Sequence, residues 1–191
     1  MLTDAVKRVF DLLLCTALMP AAVAICLLVM PLIWIETGTT PWFAQQRVGR
    51  GQQPFRMIKL RTMRADTVSA ASHLTAASQI TRSGQWLRRL KLDELPQLLN
   101  VFTGAMSFVG PRPCLSSQTT LIEAREKLGV YVLRPGITGP AQVRGIDMST
   151  PELLAALDAT YLQPWSACGD LTLLRLTAFG GGRGDAVRGS G

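Results

Sequence analysis

The sequence predicts an α+β protein that is mostly helical, with a small β-hairpin, an N-terminal membrane helix and amphipathic helices at the membrane interface. Three observations lead to this fold class. The segment from Leu12 to Ile35 has 24 residues and carries no charge. Two short stretches of alternating apolar and polar residues flank the turn "GRGQ". The rest of the chain contains helical patterns that begin at Pro or at a small capping residue.

The apolar N-terminal segment has two possible topologies. As a helix it is roughly 36 Å long, and the hydrocarbon core of a bilayer is about 30 Å thick, so a single transmembrane helix is the simplest interpretation. Two features favour a re-entrant helix instead. Pro20 removes a helical hydrogen bond and is expected to kink the helix. Lys7 and Arg8 before the segment, and many arginines after it, draw both flanks to the cytoplasm.

The first element after this segment is a predicted β-hairpin, formed by "WFAQQRVG" and "QPFRMIKLRTM". In the second strand Ile58 and Leu60 alternate with Lys59 and Arg61, which predicts one apolar face and one cationic face. A solvated strand face is the simple interpretation of the cations. A binding face for an anionic ligand is the functional one.

The segments that follow alternate between loops and short helices. Residues 65–78 are rich in Ala, Ser and Thr, which predicts a loop or a weak helix. "TRSGQWLRRLKL" predicts an amphipathic helix with Trp86, Leu87 and Leu90 facing inward. "PQLLNVF" predicts a helix with Pro96 at its first position.

Two more helices and a tail complete the predicted organisation. "STPELLAALDATYL" predicts a helix that starts at Pro151. "DLTLLRLTAF" predicts a helix capped by Asp170 that lies in the core or on the membrane surface. We therefore expect three parts: a re-entrant membrane helix-break-helix in residues 1–40, a domain at the membrane surface in residues 41–179 and a flexible Gly-rich tail in residues 180–191.

The charge of the chain indicates a phosphate-bearing partner. The 191 residues carry a net charge of +7, with 16 Arg against 4 Lys. Arginine holds phosphate through two parallel hydrogen bonds, so nucleotide, anionic lipid and nucleic acid all fit this bias. Aromatic residues make up only 6% of the chain and form no base-stacking motif, which argues against nucleic acid. The four cysteines and single histidine form no close pair, so we expect neither structural zinc nor disulfides.

The adjacent carboxylates of Asp93 and Glu94 stand directly after a basic stretch. Ten basic residues and one acid occur between Arg47 and Lys91. The residues alone favour a structural interpretation, in which acids stabilise the N-terminus of the helix at Pro96. The functional alternative is a carboxylate that attacks phosphorus in cationic surroundings, assisted by Mg²⁺. The chain lacks the Asp-x-Asp element expected of an aspartyl-phosphate phosphatase.

Five motifs carry a resemblance to a known family. The chain contains, in this order, "KRVFDLLLCTALMP", "FAQQRVGRGQQPFRMIKLRTM", "LRRLKLDELPQLLNVFTGAMSFVGPRP", "RPGITGPAQV" and "LDATYL". From Lys7 to Phe179 it resembles the bacterial sugar transferase family of monotopic polyprenyl-phosphate phosphoglycosyl transferases, in their minimal catalytic form. The resemblance implies transfer of a sugar 1-phosphate from a UDP-sugar to polyprenyl phosphate, usually undecaprenyl phosphate. UMP is released, and the product starts the assembly of a glycan.

The resemblance also implies roles for individual residues. Asp93 is expected to be the nucleophile that forms a covalent sugar-phosphoryl enzyme, with the family cofactor Mg²⁺ close to it. Glu94 is expected to assist Asp93. Substrate-binding roles are implied for five further residues: Lys59, Arg88, Arg112, Gln142 and Arg144.

The resemblance implies a location and a set of partners as well. A re-entrant helix broken at Pro20 would seat the enzyme on the cytoplasmic face of the bacterial inner membrane. Its partners would be a UDP-sugar, polyprenyl phosphate and membrane lipid, with no nucleic acid, and a homodimer is compatible with the family. Met19 stands before Pro20 where the family usually has Ser. Pro140 and Arg144 stand where Trp and Asn are common, which bears on sugar or nucleotide preference.

Overall fold

The computed structural model describes residues 2–64 and 79–179, which form an α+β fold dominated by helices. The predictions for residues 65–78 and for the tail at 180–191 lie outside the described residues. The helices are Leu2–Thr37 (α1), Arg82–Arg89 (α2), Gln97–Thr103 (α3), Thr119–Lys127 (α4), Pro140–Val143 (α5), Pro151–Ala159 (α6) and Ala167–Ala178 (α7). The strands are Trp42–Val48 (β1), Pro54–Leu60 (β2), Ser107–Val109 (β3) and Gly136–Thr138 (β4).

The strands form two small sheets. β1 and β2 pair antiparallel, with Trp42 opposite Leu60, and this confirms the predicted hairpin. The turn between them includes Gly51 at a φ of 59°, a conformation that glycine adopts without steric cost. β3 and β4 form a parallel pair in which Ser107 lies opposite Gly136. This second sheet joins two Pro- and Gly-rich loops that are 29 residues apart in sequence.

Helix α1 runs without interruption from Leu2 to Thr37, and both Pro20 and Pro31 lie inside it. The expected break at Pro20 therefore does not divide α1 into two separate helices. By length and composition α1 is able to cross a membrane, and only 22% of its apolar 18-residue window is buried. A core helix of a soluble protein would be mostly buried, so this exposure favours contact with lipid. The re-entrant topology remains a prediction from the sequence.

One stripe of α1 packs against the rest of the protein. Its buried apolar residues recur at intervals of three, four or seven positions, as expected for one face of a helix: Cys15, Ala22, Cys26, Val29 and Ile33. Near the start of the stripe, Cys15 and Ala22 join a cluster with Leu98 and Phe108. Farther along, Ile33 joins a cluster with Leu87. The membrane helix is thus part of the core on which the neighbouring helices rest.

Helix α2 is rotated relative to the prediction. Leu87 is fully buried, but Trp86 and Leu90 are 47% and 51% exposed, so the expectation that all three face inward was wrong for two of them. The cause is a close approach at Gly84, where a Cβ atom would lie 2.2 Å from the backbone oxygen of Thr62. This approach fixes which side of α2 faces the core.

The start of α7 also differs from the prediction. Ser166 caps the helix by accepting a hydrogen bond from the backbone N–H of Gly169, so the prediction of Asp170 as the cap was wrong. Asp170 is fully buried, and its Oδ2 lies 2.7 Å from Lys7 Nζ. Lys7 also lies 2.8 Å from Asp11 Oδ1. This buried charge cluster ties the first turns of α1 to α7, because each buried charge needs a close partner.

Candidate active site

Asp93 and Glu94 lie in a single 3-10 turn, Leu92–Glu94, between α2 and α3; we call it the carboxylate turn. The chain reverses into this turn at Lys91, which has a left-handed backbone with φ 56°. Non-glycine residues rarely adopt this conformation, and it is found at functional sites more often than elsewhere. Pro96 follows and α3 begins at the next residue, which agrees within one position with the predicted helix start.

Both carboxylates of the carboxylate turn are mostly buried. The Asp93 residue is only 7% exposed. Glu94 Oε1 lies 3.0 Å from Lys59 Nζ and 3.0 Å from Arg112 Nη2, and it accepts a hydrogen bond from each. All three of these side chains are between 11% and 16% exposed. Water screens such partly buried ion pairs less than surface pairs, so Glu94 stabilises the positions of both cations.

Three segments of the fold deliver this cluster. Lys59 comes from β2, where the alternation of the strand turns it toward the carboxylate turn, and Arg112 comes from the loop after β3. Lys59 is buried in an ion pair rather than solvated, whereas Arg61, predicted on the same strand face, donates to the backbone oxygens of Thr40 and Trp42 instead. The structure therefore brings together Lys59, Glu94 and Arg112, three residues that the sequence places at the site.

Lys91 connects the carboxylate turn to the end of α7. Its Nζ donates a hydrogen bond to the backbone oxygen of Thr177 at 2.9 Å. A cation at the C-terminus of a helix is favourable because the last carbonyl groups carry partial negative charge. Burial lowers the pKa of the Lys91 ammonium; Glu94 acts against this shift, and Arg112 adds to it. Lys91 was not among the predicted site residues, although its position beside the dyad was a signal for it.

Arg88, a predicted substrate-binding residue, lies in the last turn of α2. Its Nε donates a hydrogen bond to Thr62 Oγ1 at 2.9 Å. Its Nη1 is buried and has no hydrogen-bond acceptor within residues 2–64 and 79–179. A buried guanidinium nitrogen without an acceptor is costly, and it needs an explanation. An anionic oxygen of a substrate would supply the missing acceptor.

Gln142 lies on α5, directly after β4. Its Nε2 donates to the backbone oxygen of Ile137 at 3.1 Å, and its Oε1 is buried with no donor in the described part of the chain. The loops that carry Gln142 and Arg112 are in direct contact, because a Cβ atom on Gly139 would lie 2.2 Å from the backbone oxygen of Gly110. Gln142 is thus held beside the loop that supplies Arg112.

Arg144 is different from the other predicted substrate-binding residues. It is exposed just beyond the C-terminus of α5. Within the described residues it makes no hydrogen bond or ion pair with the cluster around Glu94. A role in the chemistry therefore has no support in the geometry, and a contact with the sugar or nucleoside stays a prediction.

Mg²⁺ fits the donor set of the site only together with a substrate. The described residues contain no group of three or more His, Cys, Asp or Glu side chains that could hold a metal ion. Mg²⁺ keeps several waters and is commonly bound by one or two carboxylates plus substrate phosphates. Asp93 supplies one such carboxylate, and the adjacent Glu94 Oε1 accepts hydrogen bonds from two cations.

Comparisons with known proteins identify the family of the chain. The model of the family described as "Bacterial sugar transferase" matches residues 2–181. The UDP-glucose:undecaprenyl-phosphate glucose-1-phosphate transferase of Caulobacter vibrioides is 40% identical over 91% of this chain and 68% of its own length. The sugar transferase EpsL of Bacillus subtilis is 36% identical over 90% of this chain and 84% of its own length.

A third relative is the exopolysaccharide production protein ExoY of Rhizobium meliloti. It is 33% identical over 88% of this chain and 81% of its own length. The region that the family model matches includes α1, the hairpin and the carboxylate turn, and it ends beyond α7. On the strength of this match over nearly the whole sequence, the chain belongs to the bacterial sugar transferase family.

Proposed function

We propose that the chain transfers a sugar 1-phosphate from a UDP-sugar to a polyprenyl phosphate, undecaprenyl phosphate in the bacterial case, and releases UMP. The reaction creates the first lipid-linked sugar diphosphate of a glycan such as an exopolysaccharide. The observation that carries the proposal is the carboxylate turn, in which buried Asp93 adjoins a glutamate held by two cations. The family match supports the same reaction class.

The proposed reaction has two displacements at phosphorus. In the first, a carboxylate oxygen of Asp93 attacks the β-phosphorus of the UDP-sugar and forms a P–O bond. The bond from that phosphorus to the UMP oxygen breaks, and UMP leaves with the electron pair. In the second, an oxygen of polyprenyl phosphate attacks the sugar-phosphoryl aspartate. The acyl phosphate bond breaks, which restores the Asp93 carboxylate and yields the lipid-linked sugar diphosphate.

Cationic side chains have the main supporting role in this proposal. Phosphoryl transfer depends chiefly on positioning and on neutralising the charge of the phosphate oxygens. Glu94 holds Lys59 and Arg112 in place beside Asp93, so we assign it a positioning role. Arg88 supplies a further donor for a phosphate oxygen. Mg²⁺, if held by Asp93 and the diphosphate of the substrate, would neutralise phosphate charge there.

The location of the enzyme follows from α1. Exposed apolar side chains cover the side of α1 away from the core, including Leu13 at 69% and Leu28 at 79% exposure. We propose that this side contacts the lipid of the inner membrane and that the active site faces the cytoplasm, where UDP-sugars are found. Polyprenyl phosphate then reaches the site from the membrane. The re-entrant path through Pro20 and a homodimer remain predictions.

A turnover assay tests the proposed function. The full chain in detergent or nanodiscs receives undecaprenyl phosphate and a panel of UDP-sugars, starting with UDP-glucose, the donor in the name of the Caulobacter relative. We expect sustained release of UMP with at least one donor, and only when undecaprenyl phosphate is present. Release of UDP would mean transfer of the sugar without its phosphate, and it would contradict the proposal.

A further inference from the structure

Thr62 lies next to the predicted phosphate-binding Arg88, and it has no role predicted from the sequence although it lies within a family motif. The residue is 6% exposed and follows β2 by two positions. Its hydroxyl accepts a hydrogen bond from Arg88 Nε at 2.9 Å across 26 residues of sequence. A threonine hydroxyl can donate one hydrogen bond and accept others from many partners, so its contact with this arginine needs a structural cause.

The cause is the close packing of α2 on the loop that contains Thr62. Gly84 touches the backbone oxygen of Thr62 so closely that a Cβ atom would lie 2.2 Å from it. The same oxygen accepts a hydrogen bond from the backbone N–H of Thr81 at 3.1 Å. Arg88 is four residues after Gly84, and residues four apart share one face of a helix. The contact at Gly84 therefore places Arg88 directly over Thr62.

The hydrogen bonds of the guanidinium group show what this placement achieves. Thr62 occupies the Nε donor, and Nη1 remains buried without an acceptor in residues 2–64 and 79–179. Arginine commonly binds phosphate through two parallel N–H bonds, and the planar group has a fixed geometry. Fixing Nε at one edge of the plane therefore sets the direction of the terminal nitrogens. A guanidinium group whose direction is already fixed loses less conformational freedom when it binds an anion.

We propose that Thr62 is a positioning residue that orients Arg88 toward a phosphate group of the UDP-sugar. This inference rests on the proposed function and specifies how the site captures the diphosphate of its donor. The α2 N-terminus is held separately: the Glu36 carboxylate accepts hydrogen bonds from the backbone N–H groups of Arg82 and Ser83. The position of α2 and the orientation of Arg88 thus depend on different contacts, and they can be tested separately.

The test compares Thr62→Val with Thr62→Ser. Val keeps the shape of Thr but lacks the hydroxyl, and Ser keeps the hydroxyl. With the donor that the wild type turns over, UDP-glucose being tried first, we expect Thr62→Val to raise KM about tenfold, the effect of losing one hydrogen bond to a charged group. We expect kcat to change little and Thr62→Ser to resemble the wild type. Thr172→Val, on the exposed side of α7, is the matched control and should have no effect.

A double-mutant cycle separates positioning from a general effect on folding. If Thr62 acts through Arg88, Thr62→Val should raise KM no further in an Arg88→Ala background. Thr62→Ala provides a second variant without the hydroxyl if Val disturbs the fold. An unchanged KM in Thr62→Val, or an equal rise in the Arg88→Ala background, would overturn the inference while wild-type turnover still supports the proposed function. A wild type that never releases UMP would instead overturn the proposed function itself.

Discussion

Glu94 determines where two of the site's cations lie, because Lys59 and Arg112 both donate to its Oε1. The cations come from β2 and from the loop after β3, and neither side chain is more than 16% exposed. Removing the shared charge would leave two buried cations with less compensation, which is costly in a region of low dielectric constant. These contacts support the positioning role that we propose for Glu94, a role that the sequence left open.

Replacing Glu94 with Gln tests this role. We expect turnover to fall about a hundredfold, because displaced cations no longer match the phosphate oxygens in the transition state. We also expect a lower midpoint of thermal unfolding, since the buried cations lose their partner. The measurements are kcat from UMP release and a thermal melt of the purified protein. Glu126→Gln, on the exposed side of α4, is the control. Turnover within twofold of the wild type would contradict the positioning role.

At the scale of single residues, the sequence motifs identified candidate site residues, but they did not predict the side-chain contacts between them. The dyad, Lys59 and Arg112 were predicted because the motifs that carry them are specific, and the structure brings Glu94 together with both cations. Thr62 could not be predicted, because its partner is 26 residues away and the contact depends on how closely α2 approaches the loop. Hydropathy patterns contain no information on such an approach.

At the scale of elements, α2 links the membrane helix to the active site. Leu87 packs into a cluster with Cys26, Val29 and Ile33 of α1, and Arg88 follows directly. The pattern "TRSGQWLRRLKL" predicted this helix but not its rotation, because Trp86 and Leu90 are as apolar as Leu87. The deciding feature is Gly84, whose missing side chain allows the close approach to the neighbouring loop.

Adding a methyl group at Gly84 tests the packing of α2. In Gly84→Ala the new Cβ would lie 2.2 Å from a backbone oxygen, so α2 must move. We expect the free energy of unfolding to fall by about 1–3 kcal/mol, the usual effect of overpacking. We also expect KM for the UDP-sugar to rise, since Arg88 moves with the helix. The measurements are denaturant unfolding of the purified protein and the UMP assay.

Gly169 in α7 offers a matched control for this variant. Its nearest neighbour for an added Cβ is Ser166 at 3.6 Å, which is an ordinary contact. Gly169→Ala should be neutral or up to about 1 kcal/mol more stable, because Ala favours the helix more than Gly does. Equal effects of the two substitutions would contradict the close approach at Gly84.

At the scale of the whole molecule, the basic charge is used partly inside the protein. Lys7, Arg47, Lys59 and Arg125 are all buried, and Lys7, Lys59 and Arg125 form ion pairs with carboxylates. Four buried aspartates in the described residues offset these four cations, so the net charge of +7 is carried by the rest of the chain. The sequence predicted the sign of the partner's charge, and only the structure shows that part of the cationic charge is concentrated around the dyad.

The membrane helix is described only in part by the sequence prediction. A break at Pro20 was predicted, whereas α1 is assigned as one helix that continues through Pro20 and whose buried stripe extends to Ile33. Packing along this stripe, together with the Lys7 cluster at its start, supports the helix on both sides of the proline. A sequence pattern does not show tertiary contacts of this kind, and the kink and the re-entrant path stay predictions.

The central claim is that Asp93 forms a covalent bond with the phosphorus of the UDP-sugar, and trapping this bond tests it most directly. The full chain is mixed with a turned-over UDP-sugar, labelled in the sugar, without polyprenyl phosphate, and is then denatured at once and analysed by mass. We predict up to one sugar phosphate per protein on Asp93 and an equal amount of UMP.

Asp93→Asn should show neither, whereas Asp147→Asn, a control on an exposed turn, should match the wild type. An unlabelled wild type that still turns over once polyprenyl phosphate is added, or a label on Asp93→Asn, would contradict the account.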